Sequence, residues 1–537
     1  MFEFDILNPT YPSRRSVVYA KRGMVATSQH LASQAGLEML KIGGNAIDAA
    51  IATAICMTVV EEGANGIGGD TFALVWTKDK EMHAINGSGP TPLAIDPEEL
   101  RAQGITTIPQ TGWLPVTVPG TPSAWAELSE KFGKLPFEKL FEPAIYYAEN
   151  GFVVTPTNAH IWELGDGLFR KQNDPIFDPF FEAFNIDGHA PRAGETWKCQ
   201  DMADTLKSLA KTKCESFYRG ELADRIDKYS KETGGYIRKE DLETYKAEWV
   251  TPITTNYRGY DVWELPPNPQ GIIAQMALNI VEGYEFKERD CIDTYHKQIE
   301  ALKLAFVDAE RHVADPRYMK VTTDELLSKD YAAKRREEIG DMAIMPKPGD
   351  PRQGGTIYLC TADDEGNMVS LIQSVYKPFG SGVVVPGTGI ALQCRGFLSP
   401  LDENDVNCYM PGKKPRHTII PTFLTKDGEA IGPIGVMGGF MQPQGQMQMI
   451  MNLVDFGLSP QDALDAPRWE WIGKKTVRIE NTTDPEIIEG LKAKGHDVVV
   501  PEFSHVPFGK GQIILRTPDG NLMGATESRA DGSCVAW

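Results

Sequence analysis

The sequence has no apolar run long enough to cross a membrane and no pattern typical of an exported protein. Its most apolar stretch, residues 46–60, is short and contains Asp48, so we predict a buried helix there. The first residues show no basic segment followed by an apolar one, and we expect no signal peptide. The eight cysteines form no CxxC pair and no regular framework. We therefore expect reduced thiols and a cytoplasmic protein.

Positive charge is also scarce. Lys and Arg number 54 against 74 Asp and Glu, which gives a net charge of −20. Nucleic acids and anionic membranes attract clustered Lys and Arg, so we exclude both as main partners. The histidines form neither HxxxH nor HExxH, and we expect no metal and no cofactor. Solitary histidines are predicted to be structural or exposed, namely His30, His296, His312 and His417.

Helical patterns and strand patterns are grouped in separate regions of the chain and do not alternate one after the other. Residues 29–42 have helical spacing, and the apolar run TFALVWT after the glycine-rich GANGIGGD (63–70) indicates a buried strand. Residues 130–330 look mainly helical, whereas the chain from about 356 onward shows strands and turns with one helix near 442–457. This order predicts an α+β protein in which helices cover largely antiparallel sheets. A doubly wound nucleotide-binding fold is the weaker alternative, since no GxGxxG opens a helix.

Residues 353–374, QGGTIYLCTADDEGNMVSLIQS, are predicted to form a β-hairpin with a turn at DDEGN. If the turn closes symmetrically about Glu365, Thr356 lies opposite Ser374, with the two β-carbons about 5 Å apart. Pairs of hydroxyls across strands are common, and the residues alone leave a purely structural role open. Asp308 and Asp315, in AFVDAERHVADP (305–316), are likewise assigned structural roles.

Gly355 favours a chemical role for Thr356. A threonine hydroxyl can attack the preceding carbonyl only where the backbone bends, and glycine tolerates such conformations. Cleavage between Gly355 and Thr356 would leave Thr356 with a free α-amine, whose pKa of about 8 suits a general base. One residue would then supply both nucleophile and base.

Gly438 and Gly439, within GVMGGFMQPQG (435–445), are the candidates for an oxyanion hole. They follow an apolar strand-like run and precede a helix, so their backbone N–H groups could remain free to stabilise a tetrahedral intermediate. A plain strand-to-helix turn is the alternative, and without the hairpin it would be preferred.

Several stretches resemble the γ-glutamyltransferase family of N-terminal-nucleophile hydrolases, and they occur in the expected order over essentially the whole chain. The matching stretches are residues 23–52, 59–70, 116–125, 134–152, 265–271 and 465–471. The resemblance implies an αββα sandwich made as a precursor, or zymogen, that cleaves itself into a large chain, 1–355, and a small chain, 356–537. It also implies that Ser374 supports the nucleophile and that Gly438 and Gly439 form the oxyanion hole.

The segments that bind the γ-glutamyl group in typical members differ here. Where those members carry an arginine for the α-carboxylate, this chain has AINGSGPTPLAI (84–95) with Ser88. Where they carry an acid for the α-amine, it has LQCRGFLSP (392–400) with Arg395. Loss of charge-assisted pairs would cost much of the affinity for an amino-acid head group.

Other substrate-binding positions are altered as well. His417 and Thr418 correspond to the usual serine pair, and Tyr376 replaces an asparagine. Arg395, Arg416 and His417 could form a cationic site for a carboxylate, or they could be surface and supporting residues; both interpretations stay open.

The leading hypothesis is an autoprocessing amidohydrolase or acyltransferase that forms an acyl-enzyme on Thr356. Glutathione or another γ-glutamyl amide is the substrate that the family implies. The altered segments favour a different acyl amide, such as a glutaryl-type side chain or a small dicarboxylic monoamide. The competing class is a non-catalytic family member kept for binding or assembly. The expected partners are a small-molecule amide and the two chains of one precursor, and a homo-oligomer is compatible with the sequence.

Overall fold

The computed structural model describes residues 15–346, 355–501 and 508–537. The strands are β1 Val18–Ala20, β2 Gly23–Thr27, β3 Asp70–Trp76, β4 Met82–Gly87, β5 Phe152–Val153, β6 Thr196–Trp197, β7 Glu248–Val250, β8 Ile253–Tyr257, β9 Tyr260–Glu264, β10 Gly355–Asp363, β11 Met368–Tyr376, β12 Val384–Val385, β13 Ile390–Ala391, β14 Thr422–Lys426, β15 Glu429–Met437, β16 Trp469–Gly473, β17 Thr476–Ile479, β18 Asp497–Val499, β19 Lys510–Arg516, β20 Leu522–Thr526 and β21 Ser533–Ala536.

The helices lie mostly in the first two-thirds of the chain. They are α1 His30–Lys41, α2 Ala46–Val60, α3 Pro97–Ala102, α4 Thr121–Phe132, α5 Glu142–Asn150, α6 Pro156–Gln172, α7 Asp178–Phe184, α8 Gln200–Thr212, α9 Glu215–Arg219, α10 Glu221–Glu232, α11 Lys239–Glu243, α12 Ile272–Val281, α13 Ile292–His312, α14 Thr323–Leu327, α15 Lys329–Arg336, α16 Met441–Val454, α17 Pro460–Asp465 and α18 Pro485–Ala493. None of the helices in the described ranges is long and apolar enough to span a bilayer.

Two seven-stranded sheets form the centre of the molecule. One has the order β1-β20-β19-β15-β14-β9-β8, and the other has the order β21-β2-β10-β11-β3-β4-β7. All neighbouring strands within both sheets run antiparallel. This arrangement confirms the predicted α+β class and excludes the doubly wound alternative. The hairpin β8–β9, inside the region predicted as mainly helical, was missed by the sequence patterns.

Alternating side chains of β10 show why the sheets lie between helices. Ile357 and Leu359 pack into an apolar cluster shared with helix α2. Tyr358 and Cys360, which point the other way, pack against residues of the sheet that contains β14, including Phe423. The outer face of the sheet that contains β14 packs against α12, α13 and α16. The layers therefore follow the order helix, sheet, sheet, helix, which is the predicted αββα sandwich.

The apolar run at residues 46–60 forms the fully buried helix α2, as predicted. The Asn45 side chain caps it by accepting from the N–H groups of Ile47 and Asp48, and Asp48 bonds back to the Asn45 N–H at 3.0 Å. Buried α2 supports the central hairpin, because Thr361 donates to the Ala46 carbonyl at 2.6 Å.

Candidate active site

Strands β10 and β11 form the predicted hairpin. Ile357 lies opposite Gln373, and the pairs from there to the turn keep the register expected from symmetric closure. At the open end the register shifts by one residue, so Gly355 lies opposite Tyr376. Two residues of β11 therefore face Thr356, which defines a β-bulge, a feature often found beside active sites. Gly354, the other glycine of the predicted junction, lies outside the described residues.

The Thr356 and Ser374 side chains meet as predicted. The Thr356 hydroxyl donates to Ser374 Oγ at 3.2 Å. Ser374 Oγ also accepts from the backbone N–H of Tyr376 at 2.8 Å, and Gln442 Nε2 donates to Thr356 Oγ1 at 3.5 Å. All four residues are buried, so the hydroxyl pair is held within a fixed set of donors.

The backbone of Tyr376 is strained to make one of these bonds. Its φ of +82° lies in the left-handed region that a residue with a β-carbon rarely adopts. Such outliers persist where surrounding contacts hold them, and they cluster at active sites. Here the strained residue directs its N–H at Ser374, the partner of Thr356.

Gly438 and Gly439 form the turn between β15 and α16, beside the hairpin. Their φ angles are +136° and +60°. Among the described residues, no acceptor is bonded to the backbone N–H of either glycine. Gln442, three residues after Gly439, contacts Thr356, and this contact brings the turn next to the hydroxyl. Backbone N–H groups with no acceptor are what an oxyanion hole requires, and the oxyanion role of the two glycines stays a prediction.

Arg395 is fully buried in the short helical turn Arg395–Leu398. One end of its guanidinium donates to Thr418 Oγ1 at 2.7 Å, and its centre lies 4.5 Å from the centroid of the Tyr376 ring. The Arg395 backbone N–H donates to Gln393 Oε1 at 3.2 Å. The structure therefore brings together three predicted residues, Arg395, Thr418 and Tyr376.

Asp70 supplies the negative charge of this region. It begins β3 directly opposite Ser374 in the neighbouring strand, and it accepts from His417 Nε2 at 2.9 Å. Burial raises the pKa of Asp70 to about 7, against the opposing influence of Arg395 and Gln393. Burial and the nearby Arg395 charge hold the pKa of His417 well below its ordinary value. Since His417 Nδ1 accepts from the Ile419 N–H at 3.3 Å, the imidazole is neutral and protonated at Nε2.

Ser88 is buried at the end of the same region, but its hydroxyl is committed to other polar groups. It donates to Asn86 Oδ1 at 2.7 Å and accepts from Asn268 Nδ2 at 3.2 Å. The Asn268 carbonyl in turn accepts from the His417 N–H at 3.0 Å. Ser88 therefore fixes the segment that carries His417 through Asn268.

Arg416 lies apart from Arg395, at a cavity of about 1060 Å³. Its guanidinium lies 5.4 Å from the centroid of the Phe440 ring, next to the glycine turn. Phe397, which also lines the cavity, lies 6.3 Å from the Tyr376 ring. The cavity therefore adjoins the site, and Arg416 belongs to its approach.

His296 is not solitary, in contrast to the sequence interpretation. Its Nδ1 lies 2.9 Å from His496 Nε2, and Glu300 and Lys303 complete a buried polar cluster with a Glu300–Lys303 ion pair of 2.6 Å. The three bases could hold a cation together, but the Lys303 ammonium already supplies the balancing charge to Glu300. We therefore describe the cluster as an internal ion pair.

Five residues of the site were not assigned from the sequence. They are Asp70, Asn268, Gln270, Gln393 and Gln442. Gln270 Nε2 donates to the carbonyls of both Thr418 and Gly439, which ties the two halves of the site together. Each of the five lies within a stretch that the sequence analysis singled out. The residue that each one contacts could not be predicted, because the two partners are distant in the chain.

Two stacked antiparallel sheets between helices, with a threonine at the start of a central strand, define an N-terminal-nucleophile hydrolase. The sequence profile described as gamma-glutamyltranspeptidase matches residues 32–537. The chain therefore belongs to the gamma-glutamyltranspeptidase family and is a hydrolase of that family, as its motifs predicted.

Individual relatives cover nearly the whole chain. The crystal structure of cephalosporin acylase from Bacillus halodurans is 55% identical, superposes with a TM-score of 0.97, and covers 100% of this chain and 99% of its own. The glutathione hydrolase-like YwrD proenzyme of Bacillus subtilis is 36% identical, over 97% of this chain and 99% of its own. The oxamate amidohydrolase proenzyme of Klebsiella pneumoniae is 34% identical, over 96% and 98%.

Proposed function

We propose that the chain cleaves itself between Gly355 and Thr356, giving a large chain 1–355 and a small chain 356–537. The observation that carries this proposal is the buried contact between the Thr356 and Ser374 hydroxyls at the bulge. Ser374 accepts the Thr356 proton in a hydrogen bond and thereby orients the hydroxyl oxygen. Relatives named as proenzymes support a precursor that matures.

The mature site would hydrolyse an amide in two steps. Thr356 Oγ1 attacks the amide carbonyl while the freed Thr356 α-amine takes the hydroxyl proton. The N–H groups of Gly438 and Gly439 stabilise the oxyanion. The C–N bond then breaks, and the leaving amine departs with the proton. Water attacks the resulting ester, releases the acid and restores the Thr356 hydroxyl; an amine in place of water would give acyl transfer.

We propose amides other than γ-glutamyl compounds as the better substrates. Ser88, at the position where a substrate-binding arginine is expected, is buried and bonded to Asn86 and Asn268. Relatives named oxamate amidohydrolase and cephalosporin acylase support this proposal. Glutathione therefore serves as the comparison substrate. A cytoplasmic location remains a proposal based on the cysteine pattern.

A denaturing gel tests the function against the non-catalytic alternative. Purified wild-type protein, 59.3 kDa uncut, should separate into fragments of roughly two-thirds and one-third of that mass. The smaller fragment should begin at Thr356 by mass spectrometry. Thr356→Ala should stay uncut, and Thr356→Ser, which keeps a hydroxyl, should mature more slowly. Wild-type protein that stays full length and turns over no amide would refute catalysis.

A further inference from the structure

The region beside Ser374 contains buried polar atoms without partners. Within the described part of the chain, Asp70 Oδ1, Gln393 Nε2, and Arg395 Nε and Nη2 make no hydrogen bond. Leaving a buried donor or acceptor unpaired costs about 1–3 kcal/mol each, and more for a charged group. Native proteins rarely retain several such atoms in one place unless a ligand, an ion or ordered water completes them.

These atoms belong to one neighbourhood. The Arg395 guanidinium and the Gln393 amide both act on the Asp70 carboxyl. Gln393 accepts from the Arg395 backbone N–H through Oε1, which leaves its NH₂ group to face the Asp70 carboxyl. Three of the four unpaired atoms are donors, so the missing partner is mainly an acceptor.

The free edge of Arg395 has the geometry of a carboxylate fork. Nη1 is occupied by Thr418 at 2.7 Å, so Nε and Nη2, the adjacent pair along one side of the guanidinium, remain. That pair forms two parallel hydrogen bonds with the two oxygens of one carboxylate. Asp70 balances the buried charge of Arg395 while the fork is free.

The fork lies close to the nucleophile. Asp70 is directly opposite Ser374 in the neighbouring strand, and Ser374 Oγ lies 3.2 Å from Thr356 Oγ1. On the other side, the Arg395 guanidinium stacks on Tyr376, whose N–H is bonded to Ser374. Asp70 on β3 and Thr356 on β10 flank β11, and adjacent strands are about 4.8 Å apart, so the two residues are separated by about two strand spacings, or ~10 Å. A hydrogen bond to the Arg395 fork and the approach to Thr356 Oγ1 each take up about 3 Å of that distance, which leaves room for roughly two or three methylene groups.

We propose that Arg395, assisted by Gln393, binds a free carboxylate on the acyl part of the substrate. The substrate class is then the monoamides of short dicarboxylic acids, of which glutaryl and succinyl amides are examples. A substrate α-amino group is not required. This inference rests on the proposed acyl-enzyme at Thr356 and names the acyl group that it carries.

The test compares mature enzyme on four anilides: glutaryl, succinyl, γ-glutamyl, and the uncharged butyryl compound. Wild-type enzyme should prefer glutaryl or succinyl over butyryl by about 100-fold in kcat/KM, as expected for a paired carboxylate. Arg395→Met should remove most of that preference, so that its glutaryl-to-butyryl ratio of kcat/KM falls to near one. Arg170→Met, which removes an exposed arginine paired with Asp166, is the matched control and should leave that ratio unchanged.

The outcomes separate this inference from the proposed function. If wild-type protein matures and hydrolyses amides but shows no preference for the carboxylate, the inference is wrong and the function stands. A large preference for γ-glutamyl over glutaryl anilide would refute the claim that no amino group is needed.

If Arg395→Met does not mature, inhibition of the wild-type enzyme tests the carboxylate site: glutarate should inhibit it competitively at far lower concentration than butyrate. Equal inhibition would overturn the carboxylate site. Failure of cleavage and of all turnover would instead refute the proposed function.

Discussion

The Thr356 and Ser374 hydroxyls lie 3.2 Å apart although the strands that carry them change register at that point. The bulge places the backbone of Tyr376, with its φ of +82°, so that its N–H also reaches Ser374 Oγ at 2.8 Å. Ser374 therefore couples the position of the Thr356 hydroxyl to the strained backbone of Tyr376. The chemistry at Thr356 should depend on Ser374, although Ser374 itself does not react.

Replacing Ser374 with alanine should slow maturation and amide hydrolysis together. The change removes the Ser374 oxygen that accepts from the Thr356 hydroxyl and from the Tyr376 N–H, a loss of about 1–3 kcal/mol. We expect the rate of self-cleavage to fall by about tenfold or more, measured by gel densitometry over time. Ser370→Ala is the matched control: it lies four residues earlier in β11, and its hydroxyl contacts Tyr358 at 2.8 Å. Equal slowing by both variants would contradict a specific role for Ser374.

Replacing Gly438 with alanine should impair acyl-enzyme formation. With φ at +136°, an added Cβ would lie 3.2 Å from Gly509 Cα and 3.3 Å from Met441 Cβ, so the turn must shift. Loss of one oxyanion donor costs about 100-fold or more in kcat. Stopped-flow measurement of the acylation burst reports the effect directly. Gly428→Ala, also at positive φ but with no described atom within 4 Å of the added Cβ, should lower stability and leave the burst rate unchanged.

Local patterns in the sequence predicted the hairpin, the buried helix α2 and the layers, because each depends on periodicity and turn residues that are adjacent in the chain. The bulge at Thr356 was not predictable, since it arises where β11 must also pair with β3. The place of Asp70 beside Arg395 and His417 was equally hidden. Their segments meet only after the sheets stack, and no single-sequence pattern records which distant charges become neighbours.

Binding of an anionic substrate should weaken as the pH rises above about 7. Burial raises the pKa of Asp70 to about 7, so Asp70 loses its proton there and repels a carboxylate held by Arg395. The other groups that face Asp70 stay in one form: His417 is neutral, and burial raises the pKa of the phenols of Tyr218 and Tyr245.

We expect KM for glutaryl anilide to rise by up to about tenfold per pH unit between pH 7 and 8.5, because binding is linked to one proton. The butyryl compound controls for titration of the Thr356 α-amine, and its KM should stay nearly constant. Asp70→Asn, which cannot ionise, should flatten the glutaryl profile. An unchanged slope in Asp70→Asn would assign the pH dependence to another group.

The His296–His496 pair should make the precursor less stable in acid. Burial, Lys303 and His296 lower the pKa of His496 to about 3, below the value of about 6.5 in the unfolded chain. As the pH falls below 6.5, the unfolded state binds the proton first, so stability declines until the pH reaches the folded pKa. One such group costs about 1.4 kcal/mol per pH unit, or about 2 kcal/mol between pH 6.5 and 5.

Urea unfolding of the uncut Thr356→Ala precursor at pH 7 and pH 5 measures this loss in a single chain. In the precursor, His296 Nδ1 accepts from His496 Nε2 at 2.9 Å. A second substitution, His496→Gln, keeps a donor for His296 Nδ1 but removes the titrating imidazole. The double variant should therefore lose about 2 kcal/mol less than the precursor between the two pH values.

The Gly340 carbonyl, bonded to His296 Nε2 at 2.8 Å, ties this pair to the chain that leads toward the cleavage junction. Hydrogen exchange at residues 340–344 should consequently speed up in acid in the precursor and much less in the double variant. Equal acid sensitivity of the two proteins would show that the pair does not control stability in this region.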